Sequence, residues 1–346
     1  MIYLDNAAGA FPKAPGVAEA VAEQLRERSP NIGRGDYAFS YRELERVSEV
    51  REKAARYFGV ADPRRVIFTP GCTWGLNMAL RGLINNTTML AVEGLPHNAV
   101  SRTLADLPQC DGTGERLTVL TLVSNVSGRY FPPKPDGSLL VVDAAQAAGV
   151  ISIDFDRMGA DVLCLSAHKG LMSAPGLGLT LLSERGAAAL TPTVTGGTGS
   201  FSDRPDMPPV LPDRLEPGTP NLPAIAGLGA ALDFLTANEE TLRDRMETQT
   251  ARIRELFADI PGVRLVDLPD IPLWSLDFET MDNAEAAARL DTEFGICVRC
   301  GLHCAPEAHK ALGTYPRGTV RFSAGFFTTE EELEITAKAV RKIANE

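Results

Sequence analysis

The chain has 346 residues, and its 45 acidic against 34 basic side chains give a formal net charge of −11, which argues against nucleic acid and anionic membrane as main partners. A hydrophobic fraction of 44% is ample for a core, and the length predicts one large and one small domain. No stretch approaches the roughly 18 uninterrupted apolar residues of a membrane span, and the start lacks a basic flank followed by an apolar run, so a soluble cytoplasmic enzyme is expected.

Six cysteines are too sparse for a disulfide scaffold, and three of them crowd into positions 297–304, which points to chemistry or metal. Taken in order, Tyr3-Leu4-Asp5-Asn6-Ala7-Ala8 opens the chain and reads as an ordinary turn. Residues 16–28 predict an amphipathic helix and 31–35 a glycine loop containing Arg34. A second helix at 41–58 has Leu44, Val47, Val50, Ala54 and Phe58 at helical spacing for the core. A strand at 65–69 runs into Pro70-Gly71-Cys72-Thr73. A strand, a glycine turn and a helix start bring free backbone N–H groups and a hydroxyl to a helix N-terminus, a ready anion site, so a phosphate is expected at Gly71, Cys72 and Thr73. After the next strand, near Leu90, comes His97, and a histidine at a strand's carboxyl end can stack on a flat ring and move protons near neutral pH. The strand beginning at Leu117 ends in Ser124-Asn125-Val126-Ser127-Gly128.

Two apolar strands then carry the chemistry. Ser138-Leu-Leu-Val-Val-Asp143 delivers an aspartate at its carboxyl end, with Gln146 one helical turn beyond, and Val162-Leu-Cys-Leu165 ends in Ser166-Ala-His168-Lys169-Gly170. A parallel sheet buries such runs on both faces, and ligands sit at the carboxyl ends of its strands. A lysine there, flanked by Ser166, His168 and a glycine-rich segment, suits a Schiff-base lysine held beside a phosphate. Pyridoxal phosphate needs that lysine together with a carboxylate that keeps the pyridine nitrogen protonated. Lys169 and Asp143 supply the pair, and the Gln146 amide could reach the ring hydroxyl. Five strands with polar or glycine-rich tips predict a mainly parallel sheet with its ligand at one edge, and 177–183 reads as its last strand.

Residues 195–200 (Thr-Gly-Gly-Thr-Gly-Ser) read as a loop, and 201–215, rich in Pro and Asp, as a surface excursion. From about 240, a charged helix (239–258), strands near 263–266 and 273–278 and a helix at 283–294 predict a small α+β domain. There, Cys297-Val-Arg299-Cys300-Gly301-Leu302-His303-Cys304 offers a loop cysteine near Arg299 and His303, where the thiol could be held partly as thiolate, its nucleophilic form. Cys304 is the candidate nucleophile. The same spacing leaves open a zinc or iron–sulfur site built from Cys297, Cys300, Cys304 and His303, with His309 as an extra ligand, and a Cys300–Cys304 disulfide that would inactivate reversibly. Arg321 stands alone in the apolar strand 318–323, and a bidentate guanidinium is a natural clamp for an amino-acid carboxylate.

Several of these strings resemble one family. V-V-D-A-A-Q-A (141–147) followed by S-A-H-K-G (166–170), with D-N-A-A at 5–8, His97-Asn98, S-N-V-S-G at 124–128, E-P-G-T-P-N at 216–221 and R-C-G-L-H-C-A at 299–305, is similar to the class V aminotransferases of pyridoxal-phosphate fold type I. More narrowly it resembles the second group of cysteine desulfurases, a resemblance that spans nearly the whole chain. It implies a mainly parallel seven-stranded sheet flanked by helices in a large domain over 16–236. A smaller α+β domain, formed by 1–15 and 237–346, would carry the cysteine loop. It implies pyridoxal 5′-phosphate on Lys169, with His97 stacked on the ring and Asn125 near the ring hydroxyl and substrate. Arg34 and Arg299 would face the substrate, Arg321 would hold its carboxylate, and Thr198 would complete the neighbouring subunit's phosphate site in a homodimer.

The reaction implied converts L-cysteine to L-alanine. Lys169 moves the α-proton, Cys304 takes the sulfur as a persulfide, and an acceptor protein receives it, as in iron–sulfur cluster assembly. A selenocysteine lyase acting on L-selenocysteine would use the same residues, whereas another class V aminotransferase, epimerase or carbon–sulfur lyase would keep Lys169 and Asp143 without needing Cys304. The chain departs from the family at Cys72 and Cys300, where a small residue or threonine is usual, at Trp74, where an acidic residue is usual, and at Ser173-Ala174.

Overall fold

The alternation of short apolar runs with helix-length segments becomes an alternation of strands and helices. The computed structural model describes residues 1–28, 30–32 and 35–346. A short strand β1 (Ile2–Tyr3) precedes helices α1 (Val17–Glu27) and α2 (Ala38–Phe58). Then come β2 (Val66–Thr69), α3 (Cys72–Leu83), β3 (Met89–Glu93), α4 (Asn98–Ala105), β4 (Arg116–Thr121), β5 (Leu139–Asp143), α5 (Phe155–Met158), β6 (Val162–Ser166), β7 (Gly178–Leu182) and α6 (Glu184–Ala189). Helices α7 (Leu222–Ala237) and α8 (Glu239–Phe257) lead to β8 (Val263–Leu265), β9 (Leu273–Phe278), α9 (Asn283–Phe294), β10 (Ile296–Cys297), β11 (Arg299–Gly301), α10 (Pro306–Ala311), β12 (Thr319–Ser323) and α11 (Glu330–Ala344). Among the described residues no helix is long and apolar enough to cross a membrane.

The main sheet runs β2-β7-β6-β5-β4-β3. Strands β3 to β6 pair in parallel, and β7 is antiparallel to both its neighbours. The class is the expected one, α/β with a mainly parallel sheet, but among the described residues this sheet has six strands where seven were expected. The segment 106–115 between α4 and β4 carries Pro108, Asp111, Gly112 and Gly114, residues that disfavour a strand, and it runs as turns and irregular backbone. β3 is therefore an edge, with Met89, Leu90 and Val92 exposed. By contrast β2, β5, β6 and β7 are buried at every position, as strands covered on both faces must be.

A second, antiparallel sheet runs β11-β12-β9-β8. Its core stacks Trp274 on Phe322 with ring centroids 5.2 Å apart and Phe257 beside them. The start of the chain belongs to this unit. β1 pairs in parallel with β10, and Ile2 and Leu4 are buried in its core, so residues 3–8 run alongside the cysteine-rich segment.

The turns after β5 and β6 meet backbone to backbone. Gly149 has φ of 77°, and a Cβ there would stand 2.4 Å from the carbonyl group of Gly170, the residue after Lys169. A Gly149→Ala variant should therefore combine a left-handed backbone cost of about 1–2 kcal/mol with an overpacking cost of about 1–3 kcal/mol. Thermal unfolding should show a clearly lower midpoint, and an unchanged one would contradict this packing.

Candidate active site

Parallel strands bring their carboxyl ends to one rim, and the polar tips meet around a cavity of about 170 Å³ lined by Thr73, His97, Asn125, Asp143, His168 and Lys169 among others. Burial lowers the Lys169 pKa, which raises the share of neutral amine, the form that condenses with an aldehyde. His97 caps α4, its Nδ1 accepting the Ala99 N–H at 3.0 Å. Burial lowers its pKa, so the ring is neutral, with Nε2 carrying the hydrogen. Asp143 Oδ1 accepts the Ala145 N–H at 3.0 Å, and the Cys72 sulfur lies 3.5 Å from the same oxygen. Ser166 is buried at the tip of β6. The Gln146 amide donates to the Ala7 carbonyl at 3.0 Å, which leaves one N–H for the cavity.

Three buried polar atoms on this rim have no hydrogen-bond partner among the described residues, namely Nδ1 of His168, Oγ1 of Thr121 and Oδ1 of Asn125. Orphans of this kind are rare without a polar ligand or water to meet them. Burial, with the Lys169 and Lys13 charges adding to it, drops the His168 pKa to about 4. With Lys169, the Asp143 carboxylate, the neutral ring of His97 and the N-terminus of the twelve-residue helix α3, the donor set fits pyridoxal phosphate.

The cysteine loop docks onto this rim. His303 and Cys304 both hold left-handed backbone, with φ of 49° and 56°. The Asn98 N–H donates to the Cys304 carbonyl at 2.7 Å, and the Asn125 amide donates to the His303 carbonyl, also at 2.7 Å. Cys304 is exposed. His303 does not support a thiolate as the sequence suggested. Its Nε2 sits 3.1 Å from Thr319 Oγ1 and 3.2 Å from the Thr319 carbonyl, and burial, with Arg321 adding, drops its pKa to about 2, so it brings no positive charge.

Arg299 and Arg321 lie side by side as β11 and β12 pair, and both bind Asp5, each with a contact of 3.0 Å. Arg321 also donates to the Asn125 carbonyl at 3.1 Å. Its buried Nε has no partner among the described residues, a donor suited to a ligand carboxylate. Asp5 was missed in the sequence because its string read as a turn, and only the β1–β10 pairing reveals where its carboxylate goes.

Cys300 departs from the cluster. Burial and then the Asp282 carboxylate push its thiol up, which sets it toward the start of α9, while Cys304 interacts with Arg321. All six cysteines are free, and among the described residues no three His, Cys, Asp or Glu side chains converge as metal ligands. Thr198 does not line its own chain's cavity, and its hydroxyl lies 3.1 Å from that of Ser200. Arg34 lies outside the described residues.

The aminotransferase class V family profile matches residues 2–122 and 103–335. A probable cysteine desulfurase of Methanothermobacter thermautotrophicus is 29% identical over 383 residues, covering 99% of this chain and 94% of that protein. The cysteine desulfurase CsdA of Escherichia coli is 27% identical over 381 residues, covering 98% and 93%. The apo structure of a cysteine desulfurase from Thermococcus onnurineus superposes with a TM-score of 0.85 at 25% identity, over 99% of this chain and 94% of that one.

Two outcomes follow from the geometry. An Asp5→Ala variant leaves the buried Arg321 without its counter-charge and should lose about 3–5 kcal/mol, measured by denaturant unfolding, with less loss when a small carboxylate is added. His303 has a folded-state pKa far below the unfolded value near 6.5, so its contribution is present above pH 6.5 and lost as the pH falls below it. From this residue alone, stability at pH 5 should be about 2 kcal/mol lower than at pH 7, and a stability profile that stays flat from pH 7 to pH 5 would contradict its burial as a neutral ring.

Proposed function

The chain belongs to the class V aminotransferase family, and on that premise we propose that it is a pyridoxal-phosphate-dependent cysteine desulfurase, converting L-cysteine to L-alanine and taking the sulfur on Cys304. The observation that carries this reading is the exposed Cys304 thiol on a loop tied by Asn98 and Asn125 to the rim that holds Lys169 and Asp143. An aminotransferase or epimerase has no use for such a thiol.

When bound, pyridoxal phosphate supplies an electron sink for the substrate's α-carbon. Lys169 would hold it, Asp143 would face its ring nitrogen, and His97, Ser166, His168, Gln146 and the α3 N-terminus at Cys72 and Thr73 would surround it. Arg321 grips the substrate carboxylate through its free Nε and, with Arg299, releases Asp5 in part. Asn125 keeps its unpartnered Oδ1 toward the substrate. The Lys169 amine takes the proton from the α-carbon. The Cys304 thiolate then attacks the substrate sulfur: the new S–S bond forms as the C–S bond breaks, and the carbon is protonated to give alanine. The persulfide passes its outer sulfur to an acceptor protein.

The reading includes a cytoplasmic homodimer in which Thr198 serves the partner's phosphate site. It also includes a cofactor-binding half over 16–236 and a cysteine-loop half formed by 1–15 and 237–346. The test is an absorbance spectrum of the purified protein, then alanine and sulfide release from L-cysteine. A cofactor band with release that falls by on the order of 100-fold in Cys304→Ala is expected. A band with release independent of Cys304 would sink the desulfurase reading while leaving the family intact.

A further inference from the structure

We propose that Cys72 is a positioning residue for the cofactor's ring nitrogen: its thiol holds one oxygen of the Asp143 carboxylate and leaves the other to receive the pyridinium N–H. The inference rests on the pyridoxal-phosphate reading above and deepens it. It also gives a task to a side chain for which the sequence suggested none, the phosphate being expected at the backbone N–H groups of the Gly71, Cys72 and Thr73 turn.

Cys72 is the first residue of α3, and its backbone N–H belongs to the helix terminus that suits an anion. The side chain goes elsewhere. It is 5% exposed and packs with Leu76, Val141 and Cys164 in the layer between α3 and the sheet. From there its sulfur lies 3.5 Å from Asp143 Oδ1, within hydrogen-bond range for sulfur, and the Ala145 N–H donates to the same oxygen at 3.0 Å. Oδ1 thus has two donors, whereas Oδ2 makes no hydrogen bond within the described chain and Asp143 borders the cavity. Two fixed donors on one oxygen set the plane of the carboxylate and aim its second lone-pair system at one place.

The thiol acts as a donor and not as a thiolate. Burial raises its pKa well above the usual range, and the neighbouring Asp143 charge raises it further. A threonine would bring a hydroxyl to the same oxygen, but in these apolar surroundings a thiol is a small hydrophobe with a weak donor and is buried at less cost. A residue with no polar group would leave Oδ1 with the Ala145 N–H alone.

The experiment compares wild type with Cys72→Ser, Cys72→Ala and Cys72→Val, measuring the dissociation constant of pyridoxal phosphate from apo-protein by fluorescence titration and the pH dependence of the bound cofactor's absorbance. Serine should bind within a few-fold of wild type, while alanine and valine should both weaken binding on the order of tenfold and shift the absorbance titration. Alanine binding as well as serine would overturn the proposal, as would valine matching wild type, since that would make the role one of packing. A readout that needs no cofactor is the Cys72 S–H stretch in Raman spectra of apo-protein, assigned by difference from Cys72→Ser. It should lie at the lowered frequency of a hydrogen-bonded thiol and rise in Asp143→Asn; a band unmoved by that change would equally overturn it. Wild type that takes up no pyridoxal phosphate would defeat the functional reading instead, and the Raman band would still decide whether the thiol holds Asp143.

Discussion

A single carboxylate near the chain's start, Asp5, sits between two guanidinium groups that lie 294 and 316 residues later. Arg321 is 3% exposed, and a charge so deeply placed is tolerated only beside an opposite one. Asp5 reaches it because β1 pairs with β10 and because Ser323 at the end of β12 bonds the segment that follows, its hydroxyl accepting the Ala7 N–H at 2.8 Å. The N-terminal segment is therefore a structural part of the second sheet, and its Ala7 carbonyl accepts a hydrogen bond from Gln146, a residue of the cavity lining. A ligand carboxylate that reached Arg321 would have to compete with the same carboxylate that balances it.

The rest of the cavity is governed by desolvation. Burial lowers the pKa of Lys169, His97, His168 and His303 alike, which disfavours positive charge on groups that stand near Arg321 and Arg299. What remains is a cavity that holds the Asp143 carboxylate among nitrogen groups whose cationic forms burial disfavours.

Strand tips were the most legible feature of the sequence, because an apolar run that stops at Asp143 or Lys169 marks both a buried strand and its exposed end. His97, Asp143, Gln146, His168 and Lys169 do meet at one cavity. What was not legible depends on pairing between distant segments. No local pattern ties Asp5 to Arg321 or turns the Cys72 side chain toward Asp143. His303, next to the candidate nucleophile in sequence, faces Thr319 because left-handed backbone at two successive residues swings the side chains apart. The seven-stranded count came from the family resemblance and from no stretch of this sequence, and 106–115, with its Pro, Asp and Gly, forms no strand.

That left-handed pair has an energetic consequence for motion. Non-glycine residues in this region each cost on the order of 1–3 kcal/mol, while the two hydrogen bonds from Asn98 and Asn125 each return about 1 kcal/mol. The strain of the pair, about 2–6 kcal/mol, is at least as large as the roughly 2 kcal/mol that the two bonds return, so the docked loop holds strain that its release from the rim would relieve.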